Sequence, residues 1–183
     1  AIQDLALVNL KQGMPDHALR VLQPLLAVGA KPTAITLAMA AESHLMIGAP
    51  AKAEAFFRRA AEAEPANAKL KTSIALMRVA QGDLSTGINL LTALSATDEG
   101  TRADLAMANI HIQRKEYAAA LSAVAQLERK APKDPTADFL RGQIQLLQND
   151  NGAARKSFTA ALGKSPGHVQ AAMQLVQVEL RTG

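Results

Sequence analysis

The residues of this chain best suited to bind a metal or move a proton near neutral pH are four histidines: His17, His44, His111 and His168. Cysteine is absent, which excludes disulfides, thiolate nucleophiles and cysteine zinc sites. No glycine-rich phosphate loop, Gly-x-Ser-x-Gly elbow or His-Glu-x-x-His helix occurs. The neighbouring carboxylates Glu62 and Glu64, and Asp98 and Glu99, stand near the ends of predicted helices, where solvation or capping accounts for them. Glu128-Arg129-Lys130 reads as an exposed helix end. No group of these residues meets the geometric demands of an active site. The expectation is a chain with no catalytic residue, no metal and no cofactor, and therefore not an enzyme.

The elements that would carry these side chains repeat at a spacing of about 34 residues. Small residues recur at Ala18, Ala53, Gly87, Ala120 and Ala154, each followed four positions on by a bulky apolar residue: Leu22, Phe57, Leu91, Val124 and Phe158. Two helices of about 13 residues, each about 20 Å long, plus short turns use up such a period. Small positions let paired helices touch, and the bulky partner fills the gap beside them. Composition agrees. Nearly half of the residues are apolar but aromatics are only 3%, and much of the apolar share is alanine, the best helix former. A β-sandwich or barrel normally needs more aromatic and β-branched residues. His44 and His111 occupy equivalent positions two repeats apart, so they cannot share an ion, and an aromatic-like packing role is predicted for both.

The second unit, 34–67, sets the template. A first helix is predicted over 34–47, a turn at Gly48-Ala49-Pro50, and a second helix over 50–63. Counting from Ala34, it has Ala41 at the eighth position, Gly48 at the fifteenth, Ala53 at the twentieth, Phe57 at the twenty-fourth, Ala60 at the twenty-seventh and Pro65 at the thirty-second. This pattern resembles the tetratricopeptide repeat (TPR). The resemblance implies an all-α fold, a right-handed α-α superhelix of antiparallel helix pairs with about eleven helices. It covers 1–183 as a single array: repeats 1–33, 34–67, 68–100 (one residue short), 101–134 and 135–168, and a closing helix 169–181. The partial first unit and the lone last helix suggest a fragment of a longer protein. Pro24 is predicted to kink or shorten the second helix of the first unit, and the connection after it, through Val28-Gly29-Ala30-Lys31-Pro32, is longer than its equivalents.

The resemblance further implies that first helices line a concave surface, with partner-facing side chains at fixed positions. These are Ile35, Glu42, Leu45 and Met46; Lys69 and Leu76; Arg102, Leu105, Asn109, Ile112 and Gln113; Phe139, Gln143 and Leu146; and Met173 and Gln177. The line is largely apolar with few charges, as an interaction groove requires; packing against neighbouring first helices is the alternative for any one of them. The family's carboxylate clamp needs a basic fifth and an asparagine ninth position in one repeat. Here Asn109 is matched with Leu105, so a clamp role is not expected.

The net charge is +4, with basic residues dispersed among carboxylates, which argues against a nucleic-acid partner. No apolar run approaches the length of a membrane span, and no basic, apolar signal segment opens the chain. The order of phrases from Thr101-Arg102-Ala103-Asp104 through Arg114-Lys115-Glu116-Tyr117 to Gly152-Ala153-Ala154-Arg155-Lys156-Ser157-Phe158 resembles the TPR-repeat lipoproteins of the PEP-CTERM (exosortase-associated) system. That resemblance implies a lipid-anchored parent in the periplasm or on the outer membrane of a Gram-negative bacterium, acting in surface protein sorting or exopolysaccharide export. A cytoplasmic location is the alternative. The leading expectation is a non-enzymatic scaffold that binds a protein or peptide segment. Polysaccharide handling, or a regulatory array for a catalytic domain elsewhere, are the competing readings. Self-association through exposed repeat ends is also expected.

Overall fold

The computed structural model describes residues 1–182. Among them are eleven helices and no strand: α1 (Ile2–Lys11), α2 (Pro15–Leu26), α3 (Ala34–Met46), α4 (Pro50–Ala63), α5 (Ala68–Ala80), α6 (Leu84–Thr97), α7 (Arg102–Gln113), α8 (Tyr117–Lys130), α9 (Thr136–Leu147), α10 (Asn151–Lys164) and α11 (Val169–Thr182). The chain divides into two compact units, 1–90 and 91–183, with the division falling inside α6.

Within each repeat, first and second helices are joined by the same closed turn. At the fifteenth position the backbone takes a left-handed conformation in all five turns: Gly13, Gly48, Gly82, Lys115 and Asn149. The following pair of hydrogen bonds is also invariant. In the second repeat Gly48 N–H donates to the Leu45 carbonyl and Ala49 N–H to the His44 carbonyl, at 3.0 and 2.8 Å, and equivalent pairs close the other four turns. This satisfies carbonyls that a helix end would otherwise orphan. Pro15 and Pro50 then open α2 and α4, where a missing N–H costs nothing. Asp150 opens α10 by accepting a bond from the Ala153 N–H at 2.9 Å.

The small and bulky positions behave as their spacing predicts. Ala6, Ala41, Ala75 and Ala108 on first helices, and Ala18, Ala53, Ala120 and Ala154 on second helices, are fully buried, as are Leu22, Phe57, Leu91, Val124 and Phe158. Burying one of the large side chains contributes about 2–3 kcal/mol. Two glycines mark the closest approaches. A Cβ on Gly87 would lie 2.8 Å from the Ala75 carbonyl oxygen, and one on Gly142 would lie 2.6 Å from the Phe158 ring.

In unit 1, α1 packs on α2 and α3, α2 on α3, α3 on α4, and α4 on α5. Pro24 leaves α2 at 12 residues against 14 for α4, because the ring removes a donor near the helix end. The connection 27–33 is longer than its equivalent 64–67, as expected. In unit 2, α7 packs on α8, α8 on α9, α9 on α10, and α10 on α11. Val176, at the eighth position of α11, is 57% exposed, unlike the buried small residues at that position in the preceding repeats.

One expectation needs correction. Glu128-Arg129-Lys130 is not simply an exposed helix end. Lys130 reaches under the end of α6 and pairs at 2.7 Å with Asp104, whose side chain is fully buried. The same ammonium bonds the carbonyls of Ser95 and Gly100 at 2.8 and 3.3 Å. The next repeat builds a related cluster 34 residues on: Lys164 lies 2.6 Å from the buried Asp138, and Arg141 bridges Asp138 and Glu128 at 2.8 and 2.5 Å. Ser95 also donates to Asp104. A buried carboxylate with this many cationic and hydroxyl partners recovers much of what desolvation costs it.

Candidate partner-binding face

The sixteen predicted face residues all fall on first helices. Ile35, Glu42, Leu45 and Met46 are on α3, and Lys69 and Leu76 on α5. Arg102, Leu105, Asn109, Ile112 and Gln113 are on α7, Phe139, Gln143 and Leu146 on α9, and Met173 and Gln177 on α11. None is buried. Ile35, Met46, Lys69, Leu76, Arg102, Asn109, Gln113, Met173 and Gln177 are exposed, and the remaining seven are half-buried. Ile35, Met46, Leu76 and Met173 expose 52, 51, 41 and 59% of their surface, more than isolated packing roles require.

The half-buried members serve the core as well as the face. Leu45 rests on the cluster of Ala41, Ala53, Phe57 and Met77. Phe139 and Leu146 rest on Ala154, Phe158, Ala171 and Val178. The Phe139 ring stands 4.9 Å from the His168 ring and 6.0 Å from Phe158, so much of it is committed inward.

Electrostatics differ along the line. Burial raises the carboxyl pKa of Glu42 above the ordinary value, and the charge of Lys69 on the next first helix partly counters this. The structure thus brings the α3 and α5 charges into one field, leaving an apolar surround. Two histidines, one in each unit, lie on these first helices. His44 stacks on Phe56 at 5.4 Å with rings nearly parallel, the aromatic role expected of it. Its Nδ1 is buried without a partner, and burial followed by the Lys52 charge lowers its pKa. His111 departs from expectation: its Nδ1 meets Glu116 at 2.7 Å instead of a ring. That contact, with Arg114, holds the Glu116 carboxyl below its ordinary range. Among the described residues no three His, Asp or Glu side chains converge to hold a metal ion, and no helix is long and apolar enough to cross a membrane.

Sequence reasoning did not anticipate an open cleft of about 1020 Å³ between α6, α7 and α8 in unit 2. Ser95 and Ala96 line one wall, Ala119 and Ser122 the other, with Met107 and His111 below. The recurrence of small residues on both second helices was the available signal. Of the cationic and imidazole groups that reach it, Lys130 and His111 are committed to Asp104 and Glu116, and Arg129 bonds the neutral Gln126.

A tetratricopeptide repeat family model matches residues 4–68, 73–135, 105–169 and 139–183. Comparison with curated protein sequences gives no match. Among solved structures, a thermophilic TPR protein of Thermus thermophilus superposes with a TM-score of 0.72 at 14% identity, covering 98% of this chain and 97% of that one. PilF of Pseudomonas aeruginosa gives 0.71 at 16% identity over 97% and 81%. YrrB, described as a TPR protein with an unusual peptide-binding site, gives 0.59 at 16% identity over 94% and 89%. At these identities the likeness is one of fold.

Proposed function

Because the chain belongs to the tetratricopeptide repeat family, whose members generally mediate protein–protein interactions, we propose that it is a non-enzymatic scaffold holding a protein segment on the exposed face of its first helices. One observation carries the reading. Large apolar side chains stand exposed at face positions of successive first helices, with Ile35 and Met46 on α3 and Leu76 on α5, where a chain without a partner gains nothing by exposing them. The peptide-binding site ascribed to YrrB supports a peptide as occupant. The resemblance of the second half to PEP-CTERM TPR lipoproteins supports a role in surface protein sorting or exopolysaccharide export, in the periplasm or on the outer membrane of a Gram-negative bacterium. Direct sugar binding is disfavoured, because Phe139 is the one aromatic ring among the predicted face residues, and it is half-buried with its ring against His168 and Phe158.

The test is comparative capture with wild-type protein and an Ile35→Asp/Leu76→Asp variant. Both positions are exposed, so helicity should be unchanged by circular dichroism. Proteins retained by wild type and lost by the variant are the expected result. An identical retained set would remove the first-helix face from consideration.

A further inference from the structure

The cleft between α6, α7 and α8 stands open because two neutral side chains occupy positions that are charged one repeat on. Its wall residue Ser95 holds the twenty-eighth position of the third repeat, and its floor residue Met107 the seventh of the fourth. In the next repeats those positions are Glu128 and Arg141, which pair between α8 and α9, with Lys164 of α10 3.9 Å from the same carboxylate. The chain thus bridges the second site with its own charges and leaves the first unfilled. Met107 and His111 lie about 150° around α7 from Leu105, Asn109 and Ile112, so the cleft is separate from the first-helix face.

We propose that this cleft binds a helix of a partner protein, laid antiparallel to α6 and α8, with small and apolar side chains inward and lysine or arginine in its first turn. The lining decides between helix and extended chain. The Thr97 hydroxyl donates to the Ala93 carbonyl at 3.0 Å, Ser95 donates to Asp104, and Thr92 to the Met107 Sδ at 3.6 Å. Few polar groups are left to bond an extended main chain, whereas a helix satisfies its own amides. The small residues Ala96, Ala119, Ser122 and Ala123 on the walls let another helix approach closely. Size agrees. The α8 wall from Ala119 to Arg129 runs about 15 Å, and 1020 Å³ holds about 13 Å of a helix about 10 Å across. Charge fixes the direction. Lys130 bonds the Ser95 and Gly100 carbonyls, which brings the C-terminal ends of α6 and α8 together. Asp98 and Glu99 line the cleft at that end, and among the described residues nothing pairs with their carboxylates. Arg129, bonded to the neutral Gln126, offsets one of the two charges. The short connections through α7 set α6 and α8 in the same direction, so both negative helix ends lie at this mouth and favour the positive N-terminal end of the occupant.

The experiment uses the full chain and fluorescein-labelled, lactam-stapled dodecapeptides with alanine and leucine along one face. One form carries two lysines in its first turn, a second carries two glutamates there, and a third is the lysine form unstapled and broken by a central proline. Anisotropy should show binding by the lysine helix, with the other two weaker by about tenfold or more. Ser95→Glu with Met107→Arg installs the ion pair of the next repeat and closes the cleft, so binding should vanish while circular dichroism is unchanged. Asp98→Lys with Glu99→Lys, outside α6, should invert the preference so that the glutamate helix binds better. That reversal reads the site even if the first variant fails to fold. Ile112→Asp, on the first-helix face, should bind as wild type does. The inference is overturned by no binding of the lysine helix, by equal binding of the proline form, or by undiminished binding to the folded Ser95→Glu/Met107→Arg protein. An unchanged charge preference in the Asp98→Lys/Glu99→Lys protein would do the same. Loss of binding in Ile112→Asp with helicity intact would move the peptide to the first-helix face, leaving that reading standing and this one overturned.

Discussion

The two units secure the same repeat by different physics. In unit 1, the fourth position of the second repeat is Leu37, buried with Ala34, Ala60 and Leu70. In unit 2, that position is Asp104 in one repeat and Asp138 in the next, each buried against a lysine at the thirtieth position. Apolar packing tolerates approximate geometry and gains about 2–3 kcal/mol per large side chain. A buried ion pair gains little overall, yet loses heavily when one member is removed. The repeat therefore leaves the chemistry of this junction open and constrains only its volume. Unit 2 is the more fragile of the two toward single polar substitutions.

The largest effect should come from splitting that pair. Lys130→Met leaves Asp104 buried with Ser95 as its nearest remaining donor, and should destabilise unit 2 by about 3 kcal/mol. Hydrogen exchange would show faster opening in α7 and α8 with the amides of α3 and α4 unchanged. Converting the site to the apolar solution, Asp104→Leu with Lys130→Met, should recover most of the loss. If Lys130→Met alone leaves α7 exchange as in wild type, the contrast between units is not energetic.

The next effect tests packing at one equivalent position. Ala41 coexists with Phe57 in unit 1, but the Phe158 ring occupies the space a methyl would need at Gly142. Gly142→Ala should cost about 2 kcal/mol through overpacking, outweighing the gain of about 1 kcal/mol in helix propensity. A raised denaturation midpoint would show that the ring moves aside freely. The turns give a smaller effect of opposite sign. Unit 1 uses glycine in its left-handed turns, but Lys115 takes φ of 60° against a steric cost of about 1 kcal/mol. Lys115→Gly should stabilise unit 2 by up to about that amount, offset in part by glycine's greater freedom when unfolded. Thermal melts would register it as a modest rise.

Acid should separate the units last. His44 has a lowered pKa in the fold, so its neutral form stabilises unit 1, and that contribution is lost as pH falls below the unfolded value of 6.5 toward the folded one. Glu42 has a raised pKa, so unit 1 gains stability as pH falls through its folded value. In unit 2, Glu116 and Asp134 have lowered values, and their contributions persist until pH falls below 4.5 and 3.8. Between these ranges acidification should therefore loosen unit 1 first. Glu42→Gln should sharpen that loss and His44→Phe should remove it, as read by hydrogen exchange in α3 and α4.

The fold was legible because its signals are local and repeated. An alanine or glycine followed four residues later by Leu, Phe or Val marks a helix contact in every unit, and Gly48 or Pro24 announces a turn or a shortened helix from its own covalent structure. The face residues were legible as positions for the same reason, though nothing local names what they hold. Lys130 was misread because a lysine at a helix end ordinarily reaches water; its partner Asp104 lies 26 residues away. Only the recurrence of Asp and Lys at the same two positions in the next repeat could have exposed the pair. His111 was misread because ring size argued for stacking, while Glu116 is brought back to it by the turn.

That turn has a consequence for how the chain can change length. Each repeat reverses direction through a closed pair of hydrogen bonds with no slack, so an added or deleted residue there would break the cap. The connections from a second helix to the next first helix carry no such closure. The variation falls there: the stretch 27–33 runs to seven residues and 131–135 to five, against four at 64–67, 98–101 and 165–168. In an evolving or engineered array the helix hairpins are thus the conserved tiles. Insertions and deletions are expected in the joints between them.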